Sequence, residues 1–185
     1  QEEGDDEFHP TPPVKPKALR RRRHGFSYGD SQAMQAAAAE AVESVADLPV
    51  RIYRPTGAGD EHLPGLVYFH GSGWVVLNIE ICDAFSRALA NRTGCVVVAV
   101  NYQKAPEHKF PIPLDDCYAA TRWVFDNAGE VGVDPTRIGV IGDSAGGNLA
   151  AAVTLRARDE NGPPLAYQVL VYPAVQYGWD TSSAL

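Results

Sequence analysis

The sequence predicts one doubly wound α/β domain, a mostly parallel sheet with helices on both faces. Three observations support this. From Leu48 onward, short apolar runs alternate with longer helical stretches. Val96 to Val100 is an unbroken β-branched and alanine run, as suits a central strand covered on both sides. Arg137-Ile138-Gly139-Val140-Ile141 passes through a Gly-flanked turn at Ser144 into an Ala- and Leu-rich stretch ending near Arg158.

Residues 1 to about 30 read as an arm rather than core. Glu2, Glu3, Asp5, Asp6 and Glu7 precede a Pro-rich stretch through Pro16, and Arg20 to Arg23 form a basic cluster. Segregated charge with proline reads as loosely docked chain, and the Arg run as a solvated one. Ser31 to Val45 then predicts a helix, capped by Asp30 or Ser31, on an Ala-rich body. Leu48 to Tyr53 alternates as a strand ended by Pro55, and Thr56 to Glu61 is a polar turn. Leu66 to Phe69 is an apolar strand that runs directly into His70-Gly71-Ser72-Gly73-Trp74. Glu80 to Asn91 reads as a helix, followed by the Val96 to Val100 strand. A loop with Pro106, Pro111 and Pro113 leads to a helix from Leu114 to Asn127, whose first turn favours Asp115 and Asp116. Asp134-Pro135 marks a turn, and Tyr167 to Val171 is a last strand halted by Pro173. The division is thus 1–47, an arm and helix, and 48–185, the α/β domain.

With 185 residues, 45% of them hydrophobic, the chain can bury one sizeable core. Its formal net charge of −7 excludes a general nucleic-acid binder. Cys82, Cys95 and Cys117 are scattered among apolar residues without metal-like spacing. Such thiols fit a reducing compartment, so a cytoplasmic location is expected, without a metal. No apolar run is long enough to span a bilayer, and no signal-type run appears near the start.

The chemistry centres on Gly142-Asp143-Ser144-Ala145-Gly146-Gly147-Asn148-Leu149-Ala150. A G-x-S-x-G sequence between a strand and a helix lifts the serine hydroxyl over the end of the sheet as a nucleophile. A Gly-rich turn that merely packs is the alternative, and the strand-turn-helix context favours the nucleophile. Acyl transfer also needs donors for the oxyanion, each worth about 3 kcal/mol in the transition state. Ala145 can supply one, and the loop at His70 to Gly73 follows an earlier strand, where the others are expected.

In these features the chain resembles the hormone-sensitive-lipase-like branch of the α/β-hydrolases, the bacterial family IV carboxylesterases. The resemblance runs from about Leu48 to Pro173 and rests on four blocks. These are His70 to Trp74; Tyr102-Gln103-Lys104-Ala105-Pro106-Glu107-His108-Lys109-Phe110-Pro111; Asp115-Asp116; and Gly142 to Ala150. It implies Ser144 as nucleophile, Ser72, Gly73 and Ala145 at the oxyanion positions, and Trp74 beside the acyl pocket. It implies short- to medium-chain acyl esters as substrates, hydrolysed through an acyl-enzyme without cofactor. It gives His70 and His108 structural roles and makes the Ser31 to Val45 helix part of a cap.

Two departures qualify the resemblance. Serine stands at position 72 where the family usually has glycine, and a positive φ there would be strained. In this fold the acid and the histidine follow the nucleophile, yet no histidine follows Ser144. His9, His24 and His62 fall in the arm or a polar turn; Asp159 and Glu160 look like a helix end, and neither Asp143 nor Asp180 is taken as the acid. No base or acid is therefore assigned. The 185 residues read as the N-terminal part of an esterase, with further strands carrying acid and histidine expected beyond Leu185. Tyr167 to Val171 then becomes an apolar edge strand, open to self-association or a complementing chain. The alternative is a non-enzymatic ligand-binding module on the same scaffold, as in the plant gibberellin receptor.

Overall fold

The computed structural model describes residues 39–45 and 48–176. The strands are β1 (Ala39–Val45), β2 (Leu48–Arg54), β3 (Leu63–Phe69), β4 (Val96–Val100), β5 (Val133–Asp143) and β6 (Tyr167–Val171). They form a six-stranded sheet in the order β1-β2-β4-β3-β5-β6. β2 pairs antiparallel with β1 and with β4, whereas β4–β3, β3–β5 and β5–β6 are parallel. The mostly parallel sheet expected from the alternation is present.

Helices α1 (Asp83–Thr93), α2 (Ile112–Asp126), α3 (Ala128–Val131) and α4 (Ala145–Asp159) complete the fold. The period of 2 along each strand sends alternate side chains into two cores. Val67, Phe69, Val96, Val98, Val100 and Val140 pack with α2 and α4, burying Cys117, Val124, Leu149 and Val153. Leu66, Tyr68, Val97, Ala99 and Ile141 pack with α1 through Ala90 and Leu89. Every residue of β4 is therefore buried, which explains its unbroken apolar sequence.

The predicted helix at Ser31 to Val45 is corrected over its second half. Ala39–Val45 is a strand, in register with β2 from Ala39 opposite Arg54 to Val45 opposite Leu48. Alanine content favours a helix only weakly, and the free edge of β2 offers a full ladder of backbone partners that overrides it. The rest of the predicted helix, the arm, His9, His24 and Asp180 lie outside the described residues. The turn expected at Asp134-Pro135 exists as a bulge inside β5. Between the pairs Leu63–Val133 and Gly65–Ile138, β5 advances farther than β3, and Asp134 accepts the Thr136 N–H at 2.9 Å.

Among the described residues, β6 pairs as a strand with β5 alone and is the outer strand of the sheet, with Val169 and Leu170 40% and 37% exposed. Among the described residues, no helix is long and apolar enough to cross a membrane. The pairing of Phe69 with Gly142 sets the C-terminal ends of β3 and β5 side by side. The loop after one strand and the turn after the other therefore leave the sheet together.

Candidate functional site

Ser144 occupies the tip of that turn with φ 52° and ψ −118°, a backbone state that costs a non-glycine residue about 1–3 kcal/mol. Its surroundings hold it there. The Ser144 N–H donates to the Val171 carbonyl at 2.9 Å, and its own carbonyl accepts the N–H groups of Asn148 at 3.1 Å and Ala174 at 3.0 Å. A Cβ on Gly142 would overlap the Gly146 carbonyl, and one on Gly146 would overlap the Phe69 carbonyl and the backbone of His70. The turn can be this tight, and this close to β3, only because both positions lack side chains. Helix α4 begins at Ala145, whose N–H is one of the first-turn donors left without an intrahelical acceptor. The positive end of the helix therefore lies beneath any negative charge that develops at Ser144.

The neighbouring loop, His70 to Trp74, is held by side chains. The Trp74 N–H donates to Ser72 Oγ at 2.9 Å. Tyr102 donates its hydroxyl proton to the His70 carbonyl at 2.7 Å, since a carbonyl can only accept. The Ser72 hydroxyl must then donate to the Tyr102 oxygen with which it is paired. One directed chain thus runs from Trp74 through Ser72 and Tyr102 to His70. Positive φ falls on Gly73 (56°) and Trp74 (62°) and not on Ser72, so the strain expected of a serine in this loop is absent. Ser72 is instead 6% exposed and bonded through its hydroxyl, a use that glycine could not offer.

His70 is fully buried and stacks on the Tyr102 ring, with centroids 4.6 Å apart and planes 18° apart. Its Nδ1 lies 3.1 Å from the Gly71 carbonyl, which requires the proton on Nδ1 and leaves Nε2 bare. Burial pushes the His70 pKa down and the Lys104 charge adds to this, while the Gly71 carbonyl and Asp143 oppose it. His70 is thus a neutral brace. Lys104 Nζ donates to the Tyr102 carbonyl at 2.6 Å and lies 4.9 Å from the centre of its ring. Asp116 accepts the Gln103 N–H at 2.8 Å, tying α2 to the loop that carries Tyr102.

His108 is half-buried in the loop before α2, and His62 is exposed. Among the described residues, no hydrogen bond joins Ser144 to a histidine or a carboxylate side chain. None has three or more His, Cys, Asp or Glu side chains grouped to hold a metal ion. A pocket of about 200 Å³ lies beside the turn on the α1 face, lined by Tyr68, Phe85, Ile141, Gly142, Asp143, Val171 and Tyr172. Trp74 does not line it; it is half-buried against the core on the α2 and α4 face. Ser144, Ala145, Ser72 and Gly73, singled out in the sequence, come together at one end of the sheet. Sequence reasoning assigned no role to Tyr102, although that residue heads the second block of the resemblance, and none to Tyr68.

The sequence profile of a family described as "alpha/beta hydrolase fold" matches residues 66–184. The carboxylesterase NlhH of Mycobacterium tuberculosis is 48% identical over 131 residues, 71% of this chain and 41% of that protein. An arylesterase of Saccharolobus solfataricus is 47% identical over 129 residues, 70% of this chain and 41% of that one. Among solved structures, the thermostable carboxylesterase EstE1 from a metagenomic library superposes with a TM-score of 0.72 at 44% identity, covering 79% of this chain and 50% of its own. The Pyrobaculum calidifontis esterase gives 0.69 at 46%, covering 75% and 45%. The chain spans about two fifths of the length of these curated relatives.

Proposed function

The chain belongs to the alpha/beta hydrolase fold family, and from that premise we propose that it carries the nucleophilic half of a serine carboxylesterase site. The observation that supports this most is Ser144 at positive φ, immediately before α4, in a turn whose Gly146 packs against the backbone of Phe69 and His70. Ser144 Oγ attacks the carbonyl carbon of a short- to medium-chain acyl ester. The N–H groups of Ala145, Ser72 and Gly73 receive the oxyanion, the alcohol departs, and water then releases the acid from the acyl-serine. Trp74, next to Gly73, is the candidate for the acyl side. No base or acid is assigned within these residues, since His70 is occupied as a brace and no histidine follows Ser144.

The test is p-nitrophenyl butyrate with the chain and with Ser144→Ala, following turnover and the mass of the protein. Without a base, turnover about a millionfold below that of an intact esterase is expected, with slow acylation confined to Ser144. Turnover at the rate of an intact esterase would show that the base is present after all. Acylation unchanged in Ser144→Ala would remove the nucleophile.

A second reading, ligand binding without turnover, draws on the described residues, among which no histidine is hydrogen-bonded to Ser144. An ester or acid that binds wild type and Ser144→Ala equally, and is recovered intact without acylation, would favour it. Among the described residues β6 has no strand partner beyond β5, and that edge supports pairing with a second copy or a complementing chain, read by light scattering. A cytoplasmic location is supported by three free thiols at Cys82, Cys95 and Cys117.

A further inference from the structure

Asp143 immediately precedes Ser144, and neither the nucleophile nor the oxyanion donors account for it. Its Oδ1 accepts two hydrogen bonds, from the Gly71 N–H at 2.9 Å and from the Tyr68 hydroxyl at 3.0 Å. A Cβ on Gly71 would overlap its Oδ2, so the carboxylate lies flat against the loop backbone where only glycine leaves room. The Tyr68 ring packs against Phe85 of α1 at 5.1 Å between centroids, which fixes the hydroxyl that steadies Oδ1. Elsewhere, the loop's start touches the turn through backbone crowding at Gly146, which sets the closest approach but gives no direction to the amides beyond it.

We propose that Asp143 is a positioning residue: its Oδ1 clips the Gly71 amide to the turn and so aims the N–H groups of Ser72 and Gly73 at the space above Ser144. This rests on the reading of those two amides as oxyanion donors. A carboxylate so close to a developing oxyanion is electrostatically unfavourable, so its value must lie in the hydrogen bonds it accepts and not in its charge. An isostere that keeps the acceptor therefore preserves the function. A hydrogen bond with an ionised acceptor is shorter and stronger than a neutral one, so the isostere restores most of the effect and not all of it.

The experiment uses the whole chain with Asp143→Ala, Asp143→Asn and Tyr68→Phe. One readout is the single-turnover rate at which diethyl p-nitrophenyl phosphate modifies Ser144, a reaction whose phosphoryl oxygen needs the same donors. The other is amide hydrogen exchange at Gly71 to Trp74, compared with the core amides of Val67 and Val98. Asp143→Ala is expected to slow modification about tenfold to a hundredfold and to speed exchange at Gly71 to Trp74 alone. Asp143→Asn should bring both to within about threefold of wild type, with Tyr68→Phe falling between them. Modification of Asp143→Ala at the wild-type rate overturns the proposal, as does exchange that accelerates equally throughout the core. Wild type that is never modified at Ser144 counts against the functional reading instead, and the exchange result alone then decides whether the clip exists.

Discussion

The turn at Ser144 and the loop at His70 to Trp74 meet at one end of the sheet, but different forces hold them. The turn is fixed by backbone against backbone: Gly142 against Gly146, and Gly146 against Phe69 and His70. The loop is fixed by side-chain hydrogen bonds, from Tyr102 to His70, from Ser72 to Tyr102 and from Gly71 to Asp143. Steric fixing is short-ranged and steep, so it tolerates no added atom and is insensitive to pH. Polar fixing is softer and can be weakened in steps, one bond at a time. The nucleophile is thus built into the fold, whereas the anion hole is adjustable.

Gly146→Ala is the strongest way to break this contrast. The methyl would meet main-chain atoms of a central strand, which cannot swing aside as a side chain could. A loss of more than about 4 kcal/mol is expected, enough to unfold a domain of ordinary stability. Urea unfolding of the variant measures it. A cost below about 1 kcal/mol would mean that the turn is looser than the contacts indicate. Tyr102→Phe comes next and probes the loop. It leaves the buried His70 carbonyl and Ser72 hydroxyl without their partner, at about 2 kcal/mol, while the turn keeps its geometry. A structure or exchange map in which Ser144 moves as much as Ser72 would show that the two regions are not separable.

Protonation offers a smaller perturbation of the loop alone. The folded pKa of His70 lies below its ordinary value because the ring is buried. Protons therefore bind the unfolded chain more readily, and the stability that the neutral ring contributes is present above the unfolded pKa of about 6.5. It is lost as pH falls from there toward the folded value, with a slope of at most about 1.4 kcal/mol per pH unit from this one group. Denaturant unfolding between about pH 7.5 and 5.5 should show the slope, and His70→Gln should flatten it. An unchanged slope in the variant would place the titration elsewhere.

The sequence revealed the central strands because burial on both faces leaves an apolar run that nothing else explains. It revealed the serine turn because glycines on both sides of a serine, after a strand, have a specific steric meaning. It misread Ala39–Val45, where intrinsic preference points to helix and only the open edge of β2 makes a strand. It foresaw strain at Ser72, because the conformation that decides the matter, positive φ at Gly73 and Trp74, depends on the fold around it. Tyr102 and Asp143 were invisible as ties for a related reason. Each acts on a residue far away in the chain, and only the parallel register of β3 with β4 and β5 brings them to it.

The smallest effect is also the one that separates turn from loop most directly. Ser144→Gly removes a side chain from a backbone state that disfavours one, a relief of about 1–3 kcal/mol. Glycine also loosens the unfolded chain, which returns roughly 0.5–1 kcal/mol of that gain. A net stabilisation of about 1 kcal/mol is expected, together with complete loss of acylation at that position. If backbone crowding holds the turn, the variant melts higher than wild type and its loop amides exchange as before. If the serine side chain itself were an anchor, the variant would melt lower. The sign of one Tm difference therefore decides whether Ser144 is held by its neighbours or helps to hold them.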